Sequence, residues 1–273
     1  MAKKEWKKTK TIYWKDELND DFDEVGLKRP PVPENFHYIR SNKFANFFYA
    51  IIYHGIAKPI LGTYCLFAGI RWKNKKYLKE LKGQGAYFYA NHTAITDVFK
   101  LQSFVFFFGR RINILGYSDT LSMPKFVYKL AWIVGYLPIP LKGDLKNLVA
   151  LTDACNYYIN KKQYVLIYPE AHIWPYYTKI REFTAASFTY PSRSNTPIVP
   201  IVTTWRKPLI GKKPKQTIYF CHPIFPKEGD TAANNKQYLR DQCLKAMKEV
   251  SEKIPQYEYI KYIKVESDDK KED

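Results

Sequence analysis

Cysteine is scarce in this chain, with 4 residues among 273. The four positions, Cys65, Cys155, Cys221 and Cys243, are far apart and form no Cys-x-x-Cys pair. Neither a zinc site nor a disulfide framework is therefore indicated. A reducing cytoplasm is the simplest setting for such a chain.

Acidic residues are outnumbered, since 26 Asp and Glu stand against 44 Lys and Arg and the net charge is +18. Aromatic residues make up 17% of the chain, with 23 Tyr and 6 Trp. Nucleic acid and an anionic membrane surface both fit this combination, and a composition without functional meaning is the third possibility. A nucleic-acid site needs a basic stripe interleaved with stacking side chains, whereas Lys and Tyr are spread along the whole chain. We therefore expect an anionic membrane surface as a partner, and no nucleic acid.

A long uninterrupted apolar run is also missing. Met1 to Lys10 is basic and lacks the apolar centre of a secretory signal. The most apolar region, 44–70, could span a bilayer only with Lys58 at the bilayer centre, which is energetically unfavourable. Two short apolar helices hinged at Lys58-Pro59 and lying in one leaflet fit better. Packing of both helices on the domain as a core pair is the alternative.

The composition divides the chain into four parts. Residues 1–43 are polar, with an acidic cluster at 16–24 and a proline-rich break at 30–33, and are predicted to form an arm outside the core. Residues 44–72 form the membrane-associating segment, 73–262 the main domain, and 263–273 a charged tail. A chain of 273 residues can bury enough core for one such domain without disulfides or metals.

Short apolar runs alternate with helical patterns from Tyr87 onward, which predicts an α/β fold. We expect a mostly parallel or mixed central sheet flanked by helices, together with the N-terminal apolar helix pair. Strands are predicted at 87–90, 112–115, 136–139, 164–168, 198–202 and 217–220. Helices are predicted at 97–108 and 145–160, and an amphipathic helix closes the domain with Leu239, Cys243, Met247, Val250 and Ile254.

The sequence Asn91-His-Thr-Ala-Ile-Thr-Asp97 places a potential general base five residues before a carboxylate. An imidazole can take a proton from a hydroxyl near neutral pH, and a neighbouring Asp fixes its tautomer. On one helix the two side chains would point about 140° apart, but they can converge if His92 lies in a turn and Asp97 begins the next helix. Thr93 is then the expected N-cap. The alternative is that they are unrelated loop and helix-start residues.

A second carboxylate, Glu170, follows the predicted strand 164–168, at the edge where ligands bind in open α/β sheets. Close behind, Lys179 and Arg181 could neutralise a phosphate. An exposed basic turn explains either residue taken singly. The apolar, proline-punctuated stretch 196–202 suits an edge strand lining an acyl groove and, equally well, a core strand.

Four segments follow one another between about residues 70 and 205: Asn91-His92-x4-Asp97, Gly135-Tyr-Leu-Pro-Ile, Tyr168-Pro-Glu170 and Ile198-Val-Pro-Ile-Val. Their order resembles the four blocks of the glycerolipid acyltransferase family, typified by 1-acylglycerol-3-phosphate O-acyltransferases. The first block is specific, and the fourth is nearly generic.

The resemblance implies that His92 is the general base and Asp97 its orienting partner, and that Asn91 of the same block binds substrate. They would activate a hydroxyl of a lysophospholipid for direct attack on acyl-CoA or acyl-carrier protein, while backbone donors stabilise the oxyanion. Glu170 resembles the glutamate that helps to bind the glycerol phosphate. No metal or cofactor is implied, because the thioester is already activated. The expected location is the cytoplasmic face of the cell membrane, as a peripheral or monotopic protein.

The chain departs from the family at both expected phosphate cations. The third block continues Ala171-His172-Ile173 where the family usually has Gly-Thr-Arg, and the Arg of the second block falls at Leu141, beside Lys142. Lys142, Lys179, Arg181 or another basic residue would then bind the phosphate, or the acceptor is a different lysolipid. A degenerate membrane-surface protein that binds lipid without chemistry is the further alternative.

Overall fold

A mixed seven-stranded sheet forms the centre of the protein in the computed structural model, which describes residues 9–22, 28–40, 43–105, 110–209 and 211–265. In chain order the strands are β1 Thr11–Trp14, β2 Arg71–Lys73, β3 Ala86–Ala90, β4 Ile112–Tyr117, β5 Tyr136–Ile139, β6 Tyr164–Ile167, β7 Ile198–Arg206, β8 Lys215–Phe220 and β9 Lys261–Lys264. The α-helices are α1 Lys43–Ile52, α2 Lys58–Phe67, α3 Asp97–Val105, α4 Lys125–Ile133, α5 Leu145–Asn160, α6 Thr189–Arg193 and α7 Ala232–Lys253.

The sheet order is β2-β8-β7-β3-β6-β4-β5, and β1 pairs with β9 in a separate small sheet. The five strands from β7 to β5 in this order are parallel, β8 is antiparallel to β7, and β2 is parallel to β8. This sheet confirms the predicted α/β fold class and all six predicted strands. The sequence pattern does not reveal β2, because its three residues, Arg-Trp-Lys, carry no apolar run.

Each face of the sheet carries its own hydrophobic core. Along β3, Tyr87 and Tyr89 point toward α5 and α7, while Ala86, Phe88 and Ala90 point toward the opposite face. All five residues are fully buried, as expected of a parallel strand covered on both sides. The rigid layer that results holds the carboxyl end of β3, from which His92 follows.

The stretch 196–202 belongs to the middle of the sheet. Its strand, β7, lies between β3 and β8. Ile198, Val199, Ile201 and Val202 are fully buried. The core-strand interpretation is therefore correct, and the edge-strand interpretation is wrong.

The predicted helices are present in the described residues. α5 has the expected bounds, and α7 buries Leu239, Cys243 and Met247. The helix predicted at 97–108 begins at Asp97 and is described to Val105. Its last three predicted residues lie outside the described part of the chain, as do residues 266–273 of the predicted tail.

The segment predicted as a polar arm packs on the domain where the structure describes it. β1 pairs with β9, Val32 and Tyr38 lie in the core beside α5, and Arg40 is buried against Tyr158. The expectation that this segment stays outside the core is therefore wrong for its described residues. The reason is that scattered apolar residues produce no periodic signal, although each fills a site on the domain surface.

The apolar region 44–70 forms one continuous helix and not a hinged pair. A π-helical turn, Tyr53–Ala57, joins α1 to α2, and the helix passes through Lys58-Pro59 without a break. Pro59 is the second residue of α2, which follows directly after the π-helical turn. Lys58 is 1% exposed, so its ammonium group is enclosed by protein and does not face lipid. The segment Phe47–Phe67 is long and apolar enough to cross a membrane by length and composition alone.

Gly135, between α4 and β5, lies where the backbone leaves no room for a side chain. Its φ is +111°, and a Cβ would lie 2.5 Å from the carbonyl oxygen of Ile112. Gly143 also has a positive φ, +96°, but a Cβ there would meet nothing within 4 Å. A side chain at Gly143 would meet only backbone strain, whereas a side chain at Gly135 would meet the same strain and a steric clash.

We predict that Gly143→Ala lowers the free energy of unfolding by about 1 kcal/mol through strain alone. Gly135→Ala should cost roughly a further 1–3 kcal/mol because the β4–β5 contact must open. Urea unfolding followed by circular dichroism measures both. Equal losses in the two variants would show that the close approach does not matter.

Candidate active site

His92 and Asp97 converge at the carboxyl end of β3. β3 ends at Ala90, a loop carries residues 91–96, and α3 begins at Asp97. The Nδ1 atom of His92 lies 3.5 Å from Oδ2 of Asp97. The imidazole is 12% exposed and the carboxylate 3% exposed. This is the turn-and-helix placement expected from the spacing of the motif.

The loop that carries His92 is bound to the same carboxylate. Oδ2 of Asp97 accepts the backbone N–H of Thr93 at 2.9 Å and that of Ala94 at 2.8 Å. Thr93 is not the N-cap of α3, because the helix begins four residues later. Its contribution to the site is its backbone N–H, whereas its hydroxyl oxygen is buried without a hydrogen bond among the described residues.

The other carboxylate oxygen of Asp97 has two partners that sequence reasoning missed. Oδ1 accepts from Nζ of Lys100 at 3.2 Å and from Nε2 of Gln216 at 3.0 Å. Lys100 could have been found, because it lies three residues after Asp97 on one helix. Gln216 comes from β8, and no local pattern connects it to Asp97.

These partners keep Asp97 ionised. Burial alone would raise the pKa of its carboxyl group, but Lys100, His92 and Gln216 together hold that pKa well below its ordinary value. A carboxylate that stays charged beside Nδ1 favours the tautomer in which His92 carries its proton on that atom. Nε2 is then free to accept a proton.

Tyr168 also contacts His92, a role that the motif containing Tyr168 does not reveal. Its ring stacks on the imidazole with centroids 4.1 Å apart and planes 20° apart. The carbonyl oxygen of His92 accepts the N–H of Trp174 at 3.2 Å. Ring and backbone of His92 are therefore both positioned by the segment that follows β6.

Glu170 and Arg181 form a buried pair behind the His92 loop. Nη2 of Arg181 lies 3.3 Å from Oε2 of Glu170, and Oε1 accepts the N–H of Arg181 at 3.1 Å. Arg181 also donates to the carbonyl oxygens of Glu17 and His172, and it is 0% exposed. Burial raises the pKa of Glu170, although Arg181 opposes that rise.

Glu170 reaches the catalytic loop through the backbone. Its Oε2 atom accepts the N–H of His92 at 3.3 Å. The N–H groups of His92, Thr93 and Ala94 thus all donate to carboxylates. None of the three is available to an oxyanion, so the backbone donors expected for that role have to lie elsewhere.

Asn91 is fully committed to holding the sheet together. Its side-chain oxygen accepts the N–H of Thr203 at 2.8 Å, and its side-chain nitrogen donates to the carbonyl oxygen of Thr203 at 3.0 Å. This two-bond contact ties the residue after β3 to β7. Asn91 therefore has a structural role, and the expectation that it also binds substrate stays a prediction.

Lys142 and Lys179 are exposed, and neither lies against the His92–Asp97 pair. Lys142 follows β5, and β6 and β4 separate that strand from β3, which corresponds to roughly 14 Å across the sheet. Lys179 lines a separate cavity of about 610 Å³ with Glu17, Tyr177 and Gln256. Lys142 and Lys179 therefore lie in different surroundings, and a phosphate-binding role for either stays a prediction.

The substitutions in the family blocks are visible at the same edge. Leu141 is 42% exposed beside Lys142. His172 lies 3.2 Å from Asp21, and Arg29 stacks over Tyr117 with its guanidinium carbon 3.5 Å from the ring centroid. Arg29 is thus a cation at the carboxyl end of β4. The sequence does not reveal this position, because Arg29 belongs to the segment predicted as an arm.

Metal ligands do not cluster in the part of the chain that the structure describes, where no three His, Cys, Asp or Glu side chains come together as a metal site. The expectation of a metal-free, cofactor-free site stays a prediction.

Comparison with known proteins agrees with this geometry. Residues 69–204 match the family model described as Acyltransferase. Among solved structures, the chain is similar to the 1-acyl-sn-glycerophosphate (LPA) acyltransferase PlsC from Thermotoga maritima, with 14% sequence identity and a TM-score of 0.53. That similarity covers 80% of this chain and 86% of the other. No curated protein sequence matches the chain.

Residues 69–204 therefore form an acyltransferase domain, and the protein is an enzyme of this kind. The likeness to PlsC concerns the fold, and together with the family match it confirms the resemblance to glycerolipid acyltransferases.

The burial of Arg181 leads to a prediction about its role. Arg181→Met should lower the free energy of unfolding by about 3–5 kcal/mol, because it leaves the Glu170 charge buried without its partner. Lys179→Met, two residues away and exposed, should change stability by no more than about 0.5 kcal/mol. Urea unfolding of both variants measures the difference. An Arg181→Met protein of normal stability that has lost affinity for a phosphate-bearing acceptor would instead make Arg181 a substrate cation.

Proposed function

We propose that this protein is an O-acyltransferase that moves a fatty acyl group from acyl-CoA or acyl-carrier protein to a glycerolipid hydroxyl, in phospholipid biosynthesis. The observation that carries the proposal is the buried Asp97 carboxylate, which contacts His92 and binds the loop on which His92 lies. Residues 73–262 would form the catalytic domain. The acceptor that the family resemblance favours is 1-acylglycerol-3-phosphate.

In this mechanism Nε2 of His92 takes the proton from the acceptor hydroxyl, and the oxygen of that hydroxyl attacks the thioester carbonyl carbon. The carbon–sulfur bond then breaks, and the thiolate leaves with the proton that His92 returns. Asp97 stabilises the imidazolium that forms between the two proton transfers. The contact of 3.5 Å between Nδ1 and Oδ2 is long for a hydrogen bond, and we expect it to shorten when substrate binds.

A different lysolipid acceptor is the second candidate, because the phosphate cations of the family are replaced. Leu141 and Ile173 stand at the two positions, and Arg181 is buried in its pair with Glu170. Arg29 is a further described cation at the carboxyl end of β4, where it lies over the Tyr117 ring and 3.6 Å from Asp21. Product analysis with acceptors that carry or lack a phosphate monoester separates the two candidates.

A degenerate lipid-binding protein is not favoured by the geometry. A protein without acyl-transfer chemistry would not require an ionised, fully hydrogen-bonded Asp97 carboxylate beside an imidazole.

We predict that His92→Ala lowers acyl transfer by roughly 10²- to 10⁴-fold, because it removes the general base. The assay uses purified protein, labelled acyl-CoA and a panel of lysophospholipids. His222→Ala is the matched control, since His222 is an exposed histidine paired with Glu80 after β8, and it should retain activity. Near-normal transfer by a folded His92→Ala protein would exclude the proposed mechanism.

Membrane attachment follows from the two sides of the helix formed by α1 and α2. One side packs on α3, where Tyr53 donates to Gln102 and Cys65 contacts Ser103 at 3.0 Å. The other side exposes apolar side chains, which are Phe44, Phe47, Phe48, Ile51, Ile56, Ile60, Leu66 and Phe67. Since one side is bound to the domain, we propose that the other lies in a single leaflet, as a monotopic attachment at the cytoplasmic face.

We predict that salt on the order of 1 M does not release the protein from vesicles, because burial of apolar side chains is not screened by ions. Phe44→Gln with Phe48→Gln should release it, whereas Phe126→Gln with Leu209→Gln, at two other exposed apolar positions, should not. Sedimentation with vesicles measures the bound fraction. Complete release of the unmodified protein by salt alone would rule out the embedded helix.

A further inference from the structure

A basic cavity of about 440 Å³ lies at the edge of the sheet opposite to His92. Arg110 and Arg111 immediately precede β4, and Lys161 and Lys162 shortly precede β6, whose first residue pairs with the first residue of β4. His92 follows the carboxyl end of a neighbouring parallel strand. Roughly 17 Å of sheet therefore separates this cavity from the candidate active site.

The lining of this cavity is positively charged. Arg40, Arg110, Arg111, Lys161 and Lys162 line it together with His54. The other described residues of the lining, Ala50, Tyr157, Tyr158 and Gln163, are neutral, so no carboxylate belongs to the described lining. Burial lowers the pKa of Arg40 and of Arg111, and the charge on Arg111 lowers that of Arg40 further. An anion in the cavity would relieve this repulsion.

Arg110 and Arg111 have no carboxylate partner in the part of the chain that the structure describes. Arg40 donates to the carbonyl oxygen of Trp132, and Arg110 donates to those of Gly83 and Gln84. Nη2 of Arg111 is buried and has no hydrogen bond among the described residues. Arg111 thus holds a buried donor without a protein acceptor among the described residues. Arg181, by contrast, is paired with Glu170.

The position of the cavity indicates which anion it meets. Ala50 and His54 of the N-terminal helix form one wall, and the neighbouring residues Phe47 and Ile51 are among its exposed apolar side chains. A helix embedded in one leaflet by those side chains would hold the cavity at the level of the lipid headgroups. Phosphate is the anion that guanidinium groups bind with two parallel hydrogen bonds.

The geometry points to a phosphate-binding site formed by Arg111 and the Lys161-Lys162 pair, whose ligand is the headgroup phosphate of an anionic membrane phospholipid. The site is separate from the acyl-transfer chemistry, and the choice of a lipid as its ligand rests on the membrane attachment proposed above. Its function is to bind the protein to phosphate-bearing lipid at a second point, beside the apolar helix.

The test compares three double variants of the full chain, each of which removes two positive charges. Arg111→Gln with Lys162→Gln changes the cavity, and Lys161→Gln with Lys162→Gln changes only its two exposed lysines, which cannot disturb the core. Lys212→Gln with Lys213→Gln, exposed between β7 and β8, is the control. Binding is measured to vesicles of phosphatidylcholine with and without phosphatidic acid. Thermal unfolding with added inorganic phosphate tests a soluble ligand.

We expect each cavity variant to lose about tenfold or more in affinity for the phosphatidic acid vesicles, while the control keeps its affinity. A second outcome is that inorganic phosphate raises the unfolding temperature of the unmodified protein but not of either cavity variant, while vesicle binding is unchanged in all of them. That outcome would support the phosphate site but assign it a soluble ligand. Equal behaviour of all three variants in both measurements would overturn the proposal.

Discussion

The Asp97 carboxylate is the group on which the rest of the site depends. A buried charge of this kind costs several kcal/mol unless every lone pair finds a donor. Here the donors come from three places: the loop after β3, Lys100 on α3, and Gln216 on β8. Because two of them are backbone N–H groups of the loop that carries His92, satisfying the carboxylate also fixes the imidazole.

Glu170 acts on the same loop from the opposite side. It accepts the N–H of His92 while it is bound to Arg181, which in turn binds carbonyl oxygens of the segment after β6 and of the N-terminal segment. Both carboxylates therefore position the loop that carries His92, and substrate binding by Glu170 stays a prediction. We propose that residues at this edge, where Leu141 and Ile173 stand in place of the family's two cations, select the acceptor.

The strands and the His92–Asp97 placement could be predicted because both depend on local sequence. Six apolar runs of the right length gave six strands, and a five-residue spacing after a strand required a turn. The partners of Asp97 and Glu170 could not be found in this way. Gln216 lies 119 positions from Asp97 along the chain. Arg181 belongs to a basic stretch that suggests surface exposure, although the structure buries it completely. The N-terminal segment was misjudged because its buried residues, Val32 and Tyr38, are isolated between polar ones.

The most direct test of this account is the tautomer of His92, observed by nitrogen-15 NMR of the histidine rings near neutral pH. The signal is assigned by its loss in the His92→Ala variant. The account predicts that the proton lies on Nδ1, toward Asp97, that Nε2 is unprotonated, and that Asp97→Asn removes this preference. A proton on Nε2 in the unmodified protein would contradict the proposed division of roles, because the nitrogen that has to accept the substrate proton would already carry one.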